Sequence, residues 1–410
     1  MAFSLKKETL VHVLFTLCVA LPYLNIYELT FVVWSAAIVL TLKKKYSVGF
    51  LQYVIKFALI ILIAFIVSFF YISDTYNYFK DITYLLKPIL GLVIGYQLCK
   101  KSLVNPMGVI VTTGLLIAIA HLSVVVYAFA FFPIGNISDL RWYSGYFSDF
   151  EVYVVILLMF RDKFQIPISE SRAKLYISII AISAIFYFAR TNFIQFAILY
   201  MAMKGYFLVT KKSLTVLAAM VAFVAISYSI IFSFNPTRDA GGIEGFMYKV
   251  KNAPIETFKT RVDKDDWKDF NDNYRSYENI LTIRQMTAIG PEAVLFGKGL
   301  GSTIDLKREV WLQTSFMRYI PFLHNGFATV FLKSGLLGLV IYIGTITYFF
   351  RRRRSEDPQV KAINLLFIGT GVFLIISNWV FLGFYNLFDT KTILVGYLIA
   401  HREFLLKNTD

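Results

Sequence analysis

Long apolar segments recur along the whole chain, and they constrain its fold more than any other feature. Runs of about eighteen or more apolar residues are long enough to cross a hydrocarbon core of about 30 Å as helices. Of the 410 residues, 57% are hydrophobic and 16% are charged, and the mean hydropathy is +0.63. Soluble proteins carry about 25% charged residues. The sequence therefore predicts an all-α protein, a polytopic bundle of membrane-spanning helices.

The apolar runs predict twelve helices, with both termini on the cytoplasmic side. Basic clusters such as Lys43–Lys45 and Arg351–Arg354 fall in every second gap between the runs, as positive charge does on the cytoplasmic side of a membrane. The net charge of +15 is therefore interpreted as a topology signal that contacts lipid headgroups, not as a nucleic-acid surface. The predicted helices are approximately 8–24, 26–42, 50–72, 82–98, 104–132, 149–161, 173–189, 191–209, 213–234, 324–350, 360–382 and 386–404.

One gap between the apolar runs differs from the others and divides the chain into three parts. Residues 1–233 hold about nine predicted helices, residues 234–323 form a mostly polar outer segment, and residues 324–410 hold about three helices. The stretch YENILTIRQMTAI in the outer segment has helical periodicity, with Ile280, Ile283, Met286 and Ile289 near one face. We expect a partly helical domain packed on the membrane bundle.

Glycines at alternate positions follow this predicted helix, in the stretch GKGLG. They are Gly297, Gly299 and Gly301. Glycine adopts positive φ without steric cost and lets two backbones approach closely. These positions therefore permit positive φ and a close approach of the backbone to a neighbour.

His324 stands where the outer segment re-enters the membrane, followed by Asn325, Gly335 and Gly338. A histidine titrates near neutral pH, so it can act as a general base or as a hydrogen-bond donor. The alternative is an interfacial histidine in a polar niche. The two glycines favour close helix packing, which would fix the histidine at the end of its helix.

Arginines on the outer side are candidates for binding an anion. Arg190, in FYFARTNFIQF, lies between two apolar runs where a positive charge breaks the topology pattern. A planar guanidinium suits bidentate phosphate contacts, and the alternative is a side chain that reaches lipid headgroups. The other candidates are Arg275, Arg284 and Arg318 in the outer segment, where surface ion pairs are the alternative, and Arg141 in an aromatic outer loop.

Several common active-site motifs are absent from the sequence. It has no phosphate-binding Gly-x-x-x-x-Gly-Lys loop, no His-Glu-x-x-His, no Gly-x-Ser-x-Gly and only two cysteines. An ATP-driven pump and a zinc protease are therefore disfavoured, and neither a metal nor another cofactor is expected. Acidic residues are nearly missing from the apolar runs, which disfavours a proton- or sodium-coupled transporter.

The motif that begins at His324 resembles one of a known family. Many helices, one large outer loop near the C-terminal third, and His324-Asn325-x9-Gly335-x2-Gly338 at the end of that loop resemble the bacterial O-antigen ligase and polymerase superfamily. The resemblance in residue detail covers approximately residues 190–343.

Two arginines extend this resemblance. Arg190 looks like the arginine that this family has at the outer end of a helix before the loop, although Ala189 stands where the family usually has serine. Arg275 looks like the family's loop arginine, with Tyr277 and Ile280 in the region of a frequent tryptophan.

The resemblance implies a metal-independent glycosyltransferase on a fold similar to the lipid-dependent C-type glycosyltransferases. Its donor would be a glycan on undecaprenyl diphosphate at the outer face of the bacterial inner membrane. Arg190 and Arg275, with Arg284 as a weaker candidate, would stabilise the leaving diphosphate. His324 would take the acceptor proton or hydrogen-bond the diphosphate.

Within the family, a polymerase of the Wzy type is preferred to a ligase that transfers glycan to lipid A-core. A chain-length regulator protein is a possible partner. A flippase for the same lipid-linked glycan and a non-catalytic assembly protein are the rivals from other classes. A flippase needs no large outer domain and more often shows internal repeats.

Overall fold

The structure is a computed structural model, and it describes most of the chain. The described residues are 2–71, 74–101, 105–135, 137–146, 148–237, 244–245, 247–248, 250–252, 259–263, 265–312, 315–386 and 388–407. Parts of the predicted outer segment, including residues 238–243 and 253–258, lie outside the described residues. The described residues between 259 and 323 are called the cap below.

Helices account for most of the described residues. The α-helices are α1 (Ala2–Ala20), α2 (Tyr27–Thr41), α3 (Val48–Val67), α4 (Thr75–Cys99), α5 (Pro106–Phe131), α6 (Ile137–Ser144), α7 (Asp149–Met159), α8 (Glu170–Phe186), α9 (Arg190–Met203), α10 (Lys211–Phe234), α11 (Trp267–Asp272), α12 (Tyr274–Ile289), α13 (Pro291–Phe296), α14 (Gly326–Ile346), α15 (Pro358–Val380) and α16 (Lys391–Lys407). Short 3-10 helices follow α1, α3, α14 and α15.

Each of the twelve predicted apolar segments is helical. Within the described residues, six helices are long and apolar enough to cross a membrane: Val48–Phe70, Thr75–Cys99, Pro106–Phe131, Lys211–Phe234, Gly326–Phe350 and Pro358–Val380. The chain is therefore a helical protein of the membrane class. Twelve crossings and a C-type glycosyltransferase fold stay predictions.

Small residues bring α4 and α16 into close contact at the centre of the bundle. A Cβ atom at Gly95 would lie 1.9 Å from the carbonyl oxygen of Ile393, and one at Gly396 would lie 2.1 Å from that of Leu92. Apolar helices in lipid gain little from hydrophobic association, so close backbone packing of this kind supplies much of their contact energy.

The cap contains a β-hairpin that the all-α prediction did not include. Strands β1 (Ile304–Leu312) and β2 (Ser315–Ile320) pair antiparallel, with Ile304 opposite Ile320. These two isoleucines belong to a separate small core with Tyr277 and Met286 of α12. The charged residues that interrupt both strands hide the alternation that would have marked them.

Helix α12 confirms the predicted helix but buries a different face. Met286 is buried as expected, whereas Ile283 and Ile289 are exposed. The buried side chains include Tyr277, Glu278, Leu281 and Thr282. The hairpin and α14 both pack on α12, so its buried face follows those neighbours and not the isoleucine stripe.

A break in α14 joins the cap to the bundle. Gly335 has φ 62° and ψ −162°, which frees carbonyl groups in the preceding turn. The amide of Lys298 donates to the oxygen of Leu332 at 2.8 Å, and that of Gly299 donates to Lys333 at 3.1 Å. Gly297, Gly299 and Gly301 have positive φ, a conformation that glycine permits.

Buried charges link helices that are distant in sequence. Asp81 of α4 lies 2.5 Å from Lys333 of α14, and neither side chain is exposed. Lys391 contacts the buried carboxylates of Asp149, at 3.0 Å, and Asp389. The expectation that acidic residues are nearly missing from the apolar runs was therefore wrong, because Asp149 and Asp389 lie inside the predicted helices 149–161 and 386–404. Asp81 lies immediately before the predicted helix 82–98.

These contacts also define one end of the bundle. Gly301 in the cap donates to Asp81 near the start of α4 at 2.7 Å. Near the same end, Thr390 donates to Asp149 at the start of α7, and Tyr23 after α1 lies 2.7 Å from Ser148. We call this the cap end of the bundle.

Candidate functional site

His324 and Glu278 form a hydrogen-bonded pair where the cap meets the bundle. Nδ1 of His324 lies 3.0 Å from Oε1 and 3.1 Å from Oε2 of Glu278, and the His324 amide donates to Oε2 at 2.9 Å. The Glu278 side chain is 1% exposed and that of His324 is 46% exposed. The carboxylate therefore holds an imidazole that still reaches the surface.

Neighbouring groups fix the orientation of this pair. The ring of Tyr274 meets the His324 ring edge-to-face, with centroids 5.6 Å apart. Burial and the adjacent Glu278 carboxylate raise the pKa of Tyr274, so this phenol stays protonated at neutral pH. Oδ1 of Asn325 accepts from the amides of Phe327 and Ala328. Asn325 is thus the N-cap of α14, and it fixes the helix start beside the histidine.

An apolar groove runs between the cap helix α12 and helices α14 and α15. It has a volume of about 550 Å³, and Asn325 is among its lining residues. The apolar lining includes Ile280, Ile283, Phe327, Phe331, Leu336, Leu339 and Trp379, and the polar lining includes Lys259, Ser276, Asn279 and Arg284. The groove can hold an apolar chain with an anionic group at its polar edge.

Arg275 and Arg284 lie on the same continuous helix but on opposite faces. Nine residues rotate a straight α-helix by two and a half turns, and α12 runs unbroken from Tyr274 to Ile289. Arg284 is exposed and lines the groove, whereas Arg275 is half-buried. Arg284, the weaker candidate by sequence, is the arginine placed on the groove.

Arg318 belongs to the β-hairpin. Its Nε and Nη2 donate to the two oxygens of Asp305 at 2.8 and 2.9 Å. The hydrogen bonds from Arg318, followed by those from Lys307, hold the pKa of Asp305 well below its usual range. This bidentate pair links residues on the two strands, so the structure gives Arg318 a hairpin role.

Arg141 and Arg190 form a second basic group. They are close enough for the charge of Arg190 to lower the pKa of Arg141, after the larger effect of burial. Nη2 of Arg141 donates to the carbonyl of Tyr146 at 3.2 Å, and its guanidinium lies over the Tyr146 ring. Arg190 begins α9 and is exposed.

The two motif glycines differ in their surroundings. A Cβ at Gly335 would lie 2.4 Å from the backbone of Leu295 and Phe296 in the cap. At Gly338, the nearest atoms belong to Ser334 of the same helix. Close packing is therefore confirmed at Gly335, with the cap as the neighbour. Gly338 leaves room for the Ser334 side chain.

Glu278 was missed by sequence reasoning although it is the closest partner of His324. The signal was a glutamate between Tyr277 and Leu281, two residues of the buried face of α12. The described residues contain no group of three or more His, Cys, Asp or Glu side chains able to hold a metal ion. The candidate site contains the imidazole of His324, the carboxylate of Glu278 and the guanidinium of Arg284.

Comparison with known proteins does not identify a family. No protein-family model, curated protein or solved structure matches the chain. The residues and contacts above are therefore the basis for the function proposed next.

Proposed function

We propose that this protein is a membrane glycosyltransferase that joins glycans carried on a polyprenyl diphosphate, acting as a polysaccharide polymerase. The observation that carries the proposal is the pair of His324 and Glu278 beside an apolar groove. A base next to a groove for a long apolar chain suits a reaction in which one substrate is a lipid-linked sugar.

The pair provides a general base. A carboxylate only accepts hydrogen bonds, so Glu278 favours the imidazole tautomer with hydrogen on Nδ1. Nε2 of His324 then takes the proton of the acceptor hydroxyl, while the oxygen of that hydroxyl attacks the anomeric carbon of the donor sugar. The bond from that carbon to the diphosphate oxygen breaks, and lipid diphosphate leaves. Glu278 stabilises the imidazolium that forms, as the aspartate does in serine hydrolases.

The groove and its arginine provide the second requirement. Negative charge grows on the leaving diphosphate, and a fixed cation lowers the energy of that state. Arg284 and Lys259 line the groove that would hold the lipid tail, and Lys259 also pairs with Asp269. We assign Arg284 to the diphosphate, with Lys259 as a second cation. Arg275 lies on the opposite face of α12. Arg190 and Arg141 would act on another part of the substrate.

A ligase that passes the glycan to lipid A-core uses the same chemistry and stays the first alternative. A flippase is the second alternative. The buried carboxylates Asp81, Asp149 and Asp389 remove the argument against coupled transport that rested on their absence. The exposed ring of His324 favours an enzyme, because a histidine that only closes a structural network is normally buried.

Substitution of His324 tests the proposal. The variant His324→Ala should lose glycan transfer by about 100-fold or more, the usual contribution of a general base, while inserting into the membrane at the wild-type level. Transfer is measured with purified protein and a lipid-linked donor, and by gel analysis of the surface glycan. His12→Ala in α1 is the control. Wild-type activity of His324→Ala would contradict the assignment and favour a non-catalytic assembly protein.

Deletion of the gene separates polymerase from ligase. A polymerase mutant should retain lipid A-core capped with a single repeat unit, since ligation survives. Bare lipid A-core with long glycan still on the lipid carrier would identify a ligase. A flippase mutant would accumulate unpolymerised lipid-linked units on the cytoplasmic face.

A further inference from the structure

A second cavity opens at the cap end of the bundle, between α1, α5, α6 and the end of α8. Its volume is about 630 Å³, within the usual range of small-molecule sites. Six aromatic side chains line it: Tyr23, Trp142, Tyr143, Tyr146, Tyr187 and Phe388. Thr16, Asn25 and Ser144 add polar groups to the lining. The proposed glycosyl transfer uses none of these residues.

The buried lining of this cavity includes a histidine with an unused hydrogen-bonding atom. His121 is 6% exposed, and its Nδ1 lies 2.8 Å from Oγ of Ser183. Nε2 of His121 is buried without a hydrogen-bond partner among the described residues. An unpaired polar atom costs free energy inside a protein. Its position on a cavity wall therefore points to a ligand that completes the hydrogen bond.

The groups behind His121 determine which kind of ligand fits. The Ser183 hydroxyl also interacts with the buried side chain of Glu151. His121, Ser183 and Glu151 therefore form a buried hydrogen-bonded chain that ends at Nε2 of His121. A sugar hydroxyl can pair with Nε2 in either tautomer of the ring, because a hydroxyl both donates and accepts hydrogen bonds.

The ring of His121 is held in place by Tyr187. The two rings are parallel within 4°, with centroids 3.7 Å apart, and the Tyr187 hydroxyl donates to Glu151 at 3.4 Å. At the mouth of the cavity, Arg141 fixes the backbone of Tyr146. Nε2 of His121 and the aromatic walls of the cavity are therefore held in place.

We propose that this cavity is a saccharide-binding site, in which a neutral sugar stacks on the aromatic walls and a sugar hydroxyl forms a hydrogen bond with Nε2 of His121. Flat rings with polar edges match the apolar faces and hydroxyl edges of a pyranose. The site is separate from the groove beside His324, and the proposal does not depend on the reaction there.

Saturation-transfer NMR on the full-length protein in lipid nanodiscs tests the proposal without maltoside detergents. The probes are the methyl glycosides of glucose, galactose, mannose and N-acetylglucosamine, each at about 10 mM, because a single sugar is expected to bind with a Kd of about 1 mM. At least one should receive saturation from the wild-type protein. His324→Ala should bind it equally well, whether or not transfer is lost.

Variants link the signal to the cavity. Trp142→Ala should reduce binding about tenfold, whereas Trp267→Ala in the cap should leave it unchanged; the two tryptophans are 66% and 65% exposed. His121→Phe should also weaken binding about tenfold, the loss expected for one hydrogen bond. His121→Gln should retain more, since the side-chain amide of glutamine can both donate and accept a hydrogen bond.

Three results would overturn the proposal. The first is saturation transfer to none of the glycosides in the wild type. The second is equal transfer in the wild type and in Trp142→Ala, which remains testable even if the buried His121 variants do not fold. The third is transfer to octanoate alone, which would identify a pocket for apolar chains.

Discussion

Two ionic groups at the cap end of the bundle differ in what their side chains can reach. Around Lys391, the ammonium and the carboxylates of Asp149 and Asp389 are all buried. In the pair at the cap, the Glu278 carboxylate is equally buried but His324 is half exposed. The charged groups of Lys391, Asp149 and Asp389 contact one another inside the protein. In the other pair, the Glu278 carboxylate is buried and the His324 ring reaches the surface.

The difference separates a group that holds the fold from a group that can do chemistry. Lys391 also donates to the carbonyl of Gly383 at 3.2 Å, so it connects the start of α7 with the segment before α16. A charge at bilayer level is expensive without a partner, so these three residues depend on one another. His324 contacts the Glu278 side chain through Nδ1 of its ring. The comparison predicts that Lys391 variants lose the fold and that Glu278 variants lose activity.

The largest effect is expected for Lys391→Met. Removing the ammonium leaves two buried carboxylates with Lys87 as the one cation that interacts with both among the described residues, and breaking such a group costs about 3–5 kcal/mol. Little folded protein should therefore be recovered from membranes. The measurement is the yield and melting temperature of detergent-solubilised protein by fluorescence-detected size exclusion.

The control and the rescue sharpen this prediction. Lys361→Met removes a lysine paired with exposed Glu356 and should melt like the wild type. Combining Lys391→Met with Asp149→Asn leaves Asp389 balanced by the nearby buried Lys87 and should recover much of the stability. A stable single variant would show that Lys391 does not hold the bundle together.

A large loss of activity with an intact fold is expected for Glu278→Gln. The amide keeps the size of the side chain but not the charge that stabilises a protonated His324. We expect glycan transfer to fall about 10- to 100-fold, as for other orienting groups, with the melting temperature within a few degrees of the wild type. Glu292→Gln, on the exposed surface of α13, is the control. Unfolding of Glu278→Gln would place this pair with the structural group.

The sequence predicted the two regions unequally. Periodicity and composition located every apolar helix, and His324 was found because it stands beside a marked boundary. Asp389 lies just before the last helix and Lys391 is its first residue, and nothing in the local sequence indicates that Asp149 would meet them. Asp149 and Thr390 contact each other although they are 241 residues apart in the sequence. Hydrophobic periodicity does not reveal such contacts.

The same limit applies within the candidate site. Glu278 is adjacent to His324 only because α12 and α14 pack together, and the isoleucine stripe indicated another face of α12. Arg318 was a reasonable candidate by charge, but its ion pair with Asp305 depends on a hairpin that charged residues concealed. Side-chain chemistry could be read locally, while the choice of partner required the fold.

A smaller loss of stability is expected at the break in α14 at Gly335, where the cap meets the bundle. Gly335→Ala adds a Cβ at positive φ and 2.4 Å from Leu295, which should destabilise the protein by about 1–3 kcal/mol. Gly344→Ala is the matched control on α14, where the nearest atom is 3.9 Å away. The measurement is the melting temperature, together with protease cleavage of the cap.

Equal melting temperatures for Gly335→Ala and Gly344→Ala would contradict the role of Gly335 in packing the cap on the bundle. Faster cleavage of the cap in Gly335→Ala, with the bundle intact, would show that the two regions separate there. Transfer activity should fall in parallel with cap cleavage, because Glu278 lies in the cap whereas His324 lies just before α14 of the bundle.

The smallest effect is expected at the exposed ion pair of the hairpin. Arg318→Met should keep more than about half of the transfer activity, since exposed pairs contribute little and Arg318 already occupies both oxygens of Asp305. Because the folded-state pKa of Asp305 is depressed, its stabilising contribution is present above the unfolded value of about 3.9 and is lost as the pH falls below that value. Asp305→Asn should therefore melt slightly below the wild type at pH 6, and the gap should close under acid conditions. A loss of activity in Arg318→Met as large as that in Glu278→Gln would instead return Arg318 to the substrate site, and exposure would no longer separate working residues from supporting ones.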